Sequence, residues 1–434
     1  MTPSPLLITL ILGGFVFLLV LGIPVAFSLG FVSIVVAMFL WEGSKGLFII
    51  AANAFGFVSS FSMVSVPLFL LTAEILIHSK LSEEAFNALS RVLRRVPGGL
   101  IQGTLLGSAV FAATTGSSSA NTAIAGRVAV PEMMRRKYDM RLASGSIVAG
   151  GALGILIPPS LSMILFGILA EVSIPKLFVG GIIPGVLLTL AFMIYVGIRC
   201  SRNPNLAPMA VKVTRQEELS GLWKVWPFAA LIFVIMGSIY TGFSTVTEAA
   251  GMGAATALLM GLAYRALSWK GLKASLSSTI KTSCMVGWII TGAIAFGVVI
   301  TYLGIPQRMT EFIVGAAIPP WGIIIAVNIL LMIMGCFLDP ASIITITVPI
   351  VVPIIIALGY NPIWFGVVFT VNMEMALLTP PVGMNLFVLK AISPPEITMG
   401  TIIKGAVPFV IVQAIVLVIT IVFPQLSLWL PSRM

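Results

Sequence analysis

Long apolar runs, separated by short polar segments, make up most of the chain. The first two runs, at 6–22 and 24–41, each approach the roughly 20 residues that an α-helix needs to cross the hydrocarbon core of a bilayer. Other predicted spans lie at 63–79, 177–199, 225–241, 245–264, 284–303 and 400–424. We therefore predict an all-α polytopic membrane protein.

Two further apolar runs, at 140–172 and 363–392, each contain a Pro-Pro pair. The first reads LGILIPPS at Leu153–Ser160 and the second reads ALLTPPV at Ala376–Val382, with the two pairs 222 positions apart. Proline lacks the backbone donor and clashes with the preceding turn, so each helix must break there. A break in hydrocarbon is tolerated only where protein or a wet cavity supplies hydrogen-bond partners. Two breaks at matching positions indicate the binding site of a secondary transporter.

Each half also contains a pair of apolar arms around a polar tip, and those of the first half are too short to cross a bilayer comfortably. The first pair, at about 98–134, surrounds a polar tip at Thr114–Asn121, and the second, at about 320–357, surrounds Asp339. Such segments predict re-entrant helical hairpins. Two more segments, at 46–62 and 270–281, are predicted to be arms that precede a span.

The order of these segments repeats along the chain. A shift of 222 positions aligns Met63 with Met285 and Pro97 with Pro319, in the same register as the Pro-Pro pairs. Five crossings per half is an odd number, so we predict two inverted repeats, at 1–200 and 225–434. Residues 201–224, the longest polar segment, are predicted to form a cytoplasmic linker between them.

Composition and charge agree with this organisation. Charged residues make up only 9% of the chain, whereas soluble domains contain about a quarter. The net charge of +10 arises from basic residues in short loops, which is the positive-inside pattern and excludes a nucleic-acid footprint. With the linker inside, both termini are predicted to face the periplasm. The single His78 and three isolated cysteines show no metal or disulfide spacing.

Several long motifs resemble one transporter family. They are PEMMRRKYDMRLASGSIVAGGALGILIPPS with its continuation to residue 185, the GSSSAN tip, LDPASIITITVPIVVPI, and LLTPPVGMNLFV. Together they resemble the large membrane subunit of the tripartite ATP-independent periplasmic (TRAP) transporters, the DctM-like family, over nearly the whole chain. Met373–Ala376 departs from the small and aliphatic residues more usual there.

The resemblance implies a fold and a function. It implies an elevator-type, Na⁺-driven importer subunit, with an architecture like that of the ion-transporter superfamily and no enzymatic activity. The expected location is a bacterial or archaeal cytoplasmic membrane, and the expected cargo is a C4-dicarboxylate, sialic acid or a similar carboxylate. The expected partners are the lipid bilayer, a small four-span DctQ-like subunit and a periplasmic DctP-like binding protein. Because no four-span extension precedes Met1, we expect the small subunit to be a separate chain.

The resemblance also places one Na⁺ site in each half. Hard oxygen ligands suit this ion, and the breaks and tips supply carbonyls and hydroxyls. The candidates in the first half are Ser117, Ser118, Gly154, Ile157 and Pro158. The candidates in the second half are Gly335, Asp339, Ala376 and Thr379. Small residues also permit close helix packing in membranes, and that alternative reading needs no ion.

A polar cavity between the two ion sites is the predicted position of the substrate. The candidate contacts are Ser119, Asn121, Pro159, Ser160, Pro381, Val382 and Asn385. Asp339 is an intramembrane carboxylate and so a functional candidate, although it can equally cap the helix after Pro340. Arg127 either attracts an anionic substrate or extends toward the cytoplasm. Glu374 is similarly deep, and the sequence identifies no partner for it.

Two other functions fit part of the pattern. A stand-alone Na⁺/carboxylate symporter of related fold would need no binding protein. An intramembrane hydrolase could use a serine of the 117–119 run, but it needs a base within hydrogen-bond reach. The only histidine lies in a different span.

The predicted topology can be tested by cysteine labelling. In a chain without Cys200, Cys284 and Cys336, Asn205→Cys should react with a membrane-impermeant thiol reagent only from the cytoplasmic side. Lys176→Cys should react only from the periplasmic side, because an odd number of crossings separates the linker from this loop. Labelling of both positions from one side would contradict the inverted repeat.

Overall fold

The fold of the chain is entirely helical over the part that the computed structural model describes, which is residues 5–41, 43–79, 81, 84–86, 88–89, 93, 96–208, 225–315 and 318–434. In the first half the helices are α1 Pro5–Val20, α2 Val25–Leu40, α3 Ser44–Val58, α4 Ser65–Ile77, α5 Gly99–Thr115, α6 Ser118–Arg135, α7 Met140–Ala152, α8 Leu161–Leu169 and α9 Ile174–Arg202. In the second half they are α10 Trp226–Ile232, α11 Val246–Ala263, α12 Trp269–Tyr302, α13 Ile305–Gly315, α14 Pro320–Gly335, α15 Pro340–Ala357, α16 Pro362–Leu378, α17 Met384–Ile392, α18 Met399–Val422 and α19 Gln425–Leu428.

Short polar side chains at the starts of the helices explain many of these bounds. Asp139 accepts a hydrogen bond from the Leu142 amide at 2.8 Å, which satisfies one of the free donors in the first turn of α7. Thr245 and Glu248 form a reciprocal capping box at the start of α11. Helices α14, α15 and α16 begin with a proline, whose fixed φ suits the first helical position.

Five helices of the described chain are long and apolar enough to cross a membrane. They are α9, α11, α12, α15 and α18, and α3 with Phe61–Ile77 counts as a sixth, bent by 58°. Shorter apolar helices, including α2, α5, α14 and α16, have 16 or 17 residues. The helical membrane fold predicted from the apolar runs is confirmed.

Both Pro-Pro pairs lie between helices. Helix α7 continues into a 3₁₀ turn at Leu153–Ile155, and the next helix begins at Leu161. In the second half α16 ends at Leu378 and α17 begins at Met384. We call the segments 153–160 and 376–383 break 1 and break 2. The Pro-Pro peptide bond is cis in both.

The helix bounds follow the same 222-residue shift as the sequence. When 222 is added to both bounds of helix α6 (118–135), the result is the bounds of α15 (340–357). The first residues of α7 and α16 also differ by 222. Five further pairs of helical segments agree in their shifted bounds within three residues. They are α1 with the helical stretch 226–240, α2 with α11, α5 with α14, α8 with α17, and α9 with α18.

The predicted division of 270–303 into an arm and a separate span is wrong. We expected an arm at 270–281 followed by a separate span, but α12 runs unbroken for 34 residues. Its first-half counterpart bends at Ser60, whose backbone is extended at ψ 144°. The polar residues at 281–283 do not end α12, because no proline or left-handed residue accompanies them.

Helix α13 was not predicted. Its counterpart at a shift of 222 is the segment 83–93, which is described only in part. Most of the predicted linker, at 209–224, also lies outside them.

The most deeply buried helices carry the two breaks. In α16 every residue from Trp364 to Leu378 is buried, including the polar Asn372 and Glu374. Helix α7 crosses α18 of the other half closely, since a methyl group at Gly145 would lie 2.1 Å from the Gly405 carbonyl oxygen. Helices α1 and α2 pack on the second half of α12 as a smaller apolar cluster. Break 1 and the end of the helix that leads into break 2 therefore lie inside the largest part of the core.

Candidate functional site

The tip of the first hairpin lies directly on break 1. Helices α5 and α6 meet at Gly116 (φ +59°), and we call Gly116–Ser119 tip 1. A methyl group at Gly154 would lie 2.7 Å from the Ser117 carbonyl oxygen, and one at Gly116 would lie 2.7 Å from the Pro159 carbonyl oxygen. Glycine at both positions therefore permits backbone to approach backbone, which brings peptide oxygens of the tip and the break together.

The tip of the second hairpin lies on break 2 in a similar way. This tip, Gly335–Asp339, joins α14 to α15, and we call it tip 2. A methyl group at Gly335 would lie 2.2 Å from the Ala376 side chain, so only glycine fits there. The Val382 amide donates to the Cys336 carbonyl at 3.3 Å. Each break is thus covered by the hairpin tip of its own half.

Ser117 and Asp339, which are 222 positions apart, play equivalent local roles. Each is the N-cap of the returning hairpin helix: Ser117 accepts from the Ala120 amide at 3.4 Å, and Asp339 from the Ser342 amide at 3.1 Å. Asp339 also accepts the Ser342 hydroxyl at 2.5 Å. The capping reading of Asp339 is therefore confirmed. Each of the two Asp339 carboxylate oxygens accepts one of these hydrogen bonds, and each therefore retains a lone pair that can bind a cation.

Contacts between the two halves join tip 1 to the helix after break 2. The buried Asn385 amide donates to the Ser118 hydroxyl at 2.6 Å, and the Ser119 hydroxyl donates to the Met384 sulfur at 3.4 Å. These are the first turns of α6 and α17, so the N-termini of two helices from opposite halves lie side by side. Their free amides make this point electropositive.

The two breaks differ in exposure. Pro158, Pro159 and Ser160 are buried, whereas Pro380 and Pro381 are exposed and Val382 is 40% exposed. Ser160 caps α8 and donates its hydroxyl to the Ile155 carbonyl at 2.5 Å. Break 2 is therefore the more accessible of the two, and the candidate substrate contacts Pro381 and Val382 lie on its open side.

Asn121 holds the first hairpin together. Its amide nitrogen donates to the carbonyls of Ser108 (3.0 Å) and Gly150 (3.2 Å), which joins α6 to α5 and α7. The side chain is 1% exposed, three residues beyond the start of α6. This geometry places Asn121 behind tip 1, within the packing of the hairpin.

The remaining candidates also have defined positions. Thr379 donates its hydroxyl to the Met375 carbonyl at 2.7 Å and is partly exposed, as is Ile157. Arg127 is exposed on α6, nine residues from Ser118 and hence about 14 Å along the helix axis from tip 1. That separation favours its interpretation as a residue that extends toward the membrane surface.

Oxygen atoms are the main groups at both tips and breaks that could coordinate a cation. They belong to backbone carbonyls, to the hydroxyls of Ser117, Ser118 and Thr379, and to the Asp339 carboxylate. Hard oxygen ligands of this kind suit alkali and alkaline-earth cations. In the part of the chain that is described, no group of three or more His, Cys, Asp or Glu side chains could hold a metal ion. His78 caps the C-terminal end of α4, where its ring Nδ1 lies 3.0 Å from the Glu74 carbonyl oxygen.

Sequence reasoning missed the contacts that depend on distant residues. Met384 was not a candidate, and Glu374 had no assigned partner until the structure placed Gln413 of α18 beside it, with its amide 3.2 Å from the carboxylate. A signal for this pair does exist, because Gln413 is the only amide side chain in the apolar helix α18. An intramembrane polar residue needs a partner, and Glu374 is one of few available.

Comparison with known proteins identifies relatives over almost the full length. The family described as "Tripartite ATP-independent periplasmic transporter, DctM component" matches residues 12–426. The C4-dicarboxylate TRAP transporter large permease protein DctM of Pseudomonas aeruginosa is 33% identical over 386 residues, 88% of this chain and 89% of that protein. The sialic acid TRAP transporter large permease protein SiaM of Vibrio cholerae is 30% identical over 96% of this chain and 97% of that protein.

A solved structure shares the fold. The YdaH transporter of Alcanivorax borkumensis superimposes with a TM-score of 0.64 over 90% of this chain and 89% of that chain, at 15% sequence identity. At this identity the likeness concerns the arrangement of helices alone.

The contact between the halves can be tested by cross-linking. In a chain whose three cysteines are replaced by serine, the pair Ser119→Cys and Met384→Cys should form a disulfide under mild oxidation, because the native atoms are 3.4 Å apart. The measure is the fraction of chains protected from thiol alkylation. The control is Ser119→Cys with Ile411→Cys, on the exposed face of α18. Equal yields from both pairs would contradict the placement of tip 1.

Proposed function

The chain belongs to the DctM family of tripartite ATP-independent periplasmic transporters, and from this premise we propose that it is the large membrane subunit of a Na⁺-coupled importer of organic anions. The observation that carries the proposal is the meeting of α6 and α17 at the Ser118–Asn385 hydrogen bond. There, the N-termini of two helices from opposite halves meet, one at tip 1 and the other directly after break 2. Relatives of this chain are named as transporter permeases, so the hydrolase alternative is excluded.

An anionic cargo is supported by the charge of this position and by the names of relatives. Free amides in the first turn of each helix favour a carboxylate or sulfonate, with roughly half a positive charge at each N-terminus. Relatives are named for C4-dicarboxylate, sialic acid and isethionate transport, and all three cargoes are anions. We propose that the cargo contacts Ser119, Val382 and Asn385 from the exposed side of break 2.

Sodium coupling is supported by the oxygen ligands of each half. In the first half, Gly154 and Ser117 bring their backbones together. In the second half, Gly335 of tip 2 packs on Ala376 of break 2, and these two segments also carry the Asp339 carboxylate and the Thr379 hydroxyl. A bound cation neutralises carbonyls that the breaks leave without helical partners. The hairpins can then move through hydrocarbon without unpaired oxygens. Ion and substrate binding reinforce each other, with equal coupling in both directions.

An elevator mechanism on an inverted repeat is supported by the 222-residue correspondence of the helices. In this proposal the hairpins and broken helices of both halves move as one unit. The first two helices of each half, α1 and α2 with 226–240 and α11, form the scaffold. Several large apolar side chains of α2 are exposed, including Phe31 at 60% and Phe39 at 83%. We propose that the small subunit packs on this scaffold.

Sodium dependence is the first test of this function. Thr379→Ala and Asp339→Asn should each raise the Na⁺ concentration for half-maximal substrate uptake by about tenfold, because a lost ligand of 1.4 kcal/mol changes affinity by that factor. The measurement is uptake of labelled substrate into proteoliposomes containing all subunits, at fixed membrane potential.

Arg202→Ala is the matched control, since Arg202 is exposed at the end of α9, and its half-maximal Na⁺ concentration should not change. Uptake that proceeds equally well with choline or K⁺ in place of Na⁺ would refute sodium coupling.

Dependence on partners is the second test. Proteoliposomes that contain this chain alone should take up no substrate, and addition of the small subunit and the substrate-loaded binding protein should restore uptake. The measured quantity is the initial rate with each component omitted in turn. Full uptake by the single chain would instead identify a stand-alone symporter.

A further inference from the structure

Asn372 is a fully buried polar residue that the proposed function does not use. It lies in α16 with 0% exposure, four residues before Ala376, so about one helical turn separates it from break 2. A buried amide side chain needs hydrogen-bond partners, because its desolvation is otherwise costly. The partners of Asn372 therefore show which element is tied to α16 at this point.

Both N–H groups of the Asn372 amide are used on one residue of another helix. The amide nitrogen donates to the Asn328 carbonyl oxygen at 2.9 Å and to the Asn328 side-chain Oδ1 at 2.9 Å. Asn328 is also buried, and its own amide donates to the Ile324 carbonyl at 2.9 Å, which fixes its side chain. Since Asn328 belongs to α14, the first helix of the second hairpin, this pair joins the hairpin to the broken helix.

A contact of this kind fixes the register of the two helices. The backbone and the side chain of one residue must both face the same amide nitrogen, and a slip by one residue moves a helix by about 1.5 Å along its axis. Apolar side chains can pack in several registers, whereas a buried polar pair discriminates between them, as buried asparagines do in coiled coils. The Asn328–Asn372 pair therefore sets the position of α14 along α16.

The same two helices bring tip 2 and break 2 together. Gly335 lies seven residues beyond Asn328 in α14, which is about two turns. It packs so closely on Ala376 that a methyl group there would lie 2.2 Å from the Ala376 side chain. An error of one residue in the register would press the two segments into each other or separate them. Gly335, Ala376 and Thr379 are candidates for the second cation site, so the spacing of that site depends on the register.

The first half has a joint at the equivalent position, made by different residues. A shift of 222 relates Asn372 to Gly150 of α7, which likewise lies about one turn before its break. There the buried Asn121 amide of α6 donates to the Gly150 carbonyl at 3.2 Å and to the Ser108 carbonyl at 3.0 Å. Each half thus ties its hairpin to its broken helix with a buried asparagine. The recurrence of the joint with other residues points to a requirement of the break.

We propose that Asn372 and Asn328 are positioning residues for the second cation site, and that their hydrogen bonds set the spacing of tip 2 and break 2 on which the Na⁺ affinity of this site depends. This inference rests on the proposed function, because it presumes that break 2 binds Na⁺. Neither asparagine is a ligand of the ion in this arrangement, since they lie about one and two turns from the candidate ligands. They act through the register of α14 on α16.

The functional test is the Na⁺ concentration for half-maximal uptake by the complete transporter in proteoliposomes. Asn372→Leu removes both hydrogen bonds and should raise this concentration about tenfold, with a maximal rate close to that of the wild type. Asn328→Ala leaves the backbone carbonyl in place, so one bond survives and the increase should be about threefold. The double variant should behave like Asn372→Leu alone, because both substitutions remove the same contact.

Thr370→Val is the matched control. Thr370 is also buried on α16, but its hydroxyl donates within its own helix, to the Gly366 carbonyl at 2.8 Å. Its half-maximal Na⁺ concentration should equal that of the wild type. A substitution that merely reduces the amount of folded transporter lowers the maximal rate at an unchanged half-maximal concentration, and that result for Asn372→Leu would overturn the proposal.

Hydrogen exchange tests the joint independently of transport. Without Na⁺, amide exchange in peptides covering 335–339 and 376–383 should accelerate at least severalfold in Asn372→Leu, while a peptide covering 153–160 keeps its wild-type rate. Unchanged exchange, or equal acceleration at both breaks, would overturn the positioning role. Local acceleration with an unchanged half-maximal Na⁺ concentration would overturn the link to the cation site and leave sodium-driven transport intact. Wild-type uptake without any Na⁺ dependence would overturn the proposed function and this inference with it.

Discussion

Backbone polar groups in hydrocarbon must be hydrogen-bonded or held by a ligand, and this requirement governs the arrangement of the two breaks. Each Pro-Pro pair interrupts a largely buried helix, and at break 1, where Pro158 and Pro159 are buried, the freed peptide groups are shielded from solvent. The fold answers by placing a hairpin tip on each break, with Gly116, Gly154 and Gly335 allowing the backbones to touch. Polar side chains then complete the contacts, as Ser160 does for the Ile155 carbonyl. The same oxygens that would be costly if left unpaired are suited to hold a cation.

The sequence contains enough information to predict the elements but not their partners. The apolar runs and the Pro-Pro pairs locate the helices and breaks, because proline and span length act locally. The capping of Asp339 could be foreseen for the same reason. The continuity of α12 could not, since polar residues at 281–283 resemble an arm boundary and only packing decides whether the helix continues. Contacts such as Ser118 with Asn385 or Glu374 with Gln413 join residues that are 267 and 39 positions apart, and a pattern along the chain carries no distance between them.

The two halves share helix bounds but differ in the exposure of their breaks. Break 1 is enclosed, whereas break 2 is open at Pro380–Val382. In the proposed mechanism, the enclosed break is chiefly a cation site, and the open break also meets the cargo. The hydrogen bonds between the halves bring the N-terminus of α6 to that of α17. The electropositive position between these helices therefore needs both halves of the chain.

Helix α12 has a consequence for how the protein sits in the bilayer. With 34 residues it is about 51 Å long, whereas the hydrocarbon core is about 30 Å thick. A rod of that length must tilt or extend well into the headgroup layer. Its first turns, with Trp269 stacked beside Lys273, have the aromatic and cationic character that anchors helices at that level. The counterpart segment is bent by 58° and can follow the membrane plane instead. The continuous helix of the second half and the bent pair of the first half therefore meet the surface of the bilayer in different ways.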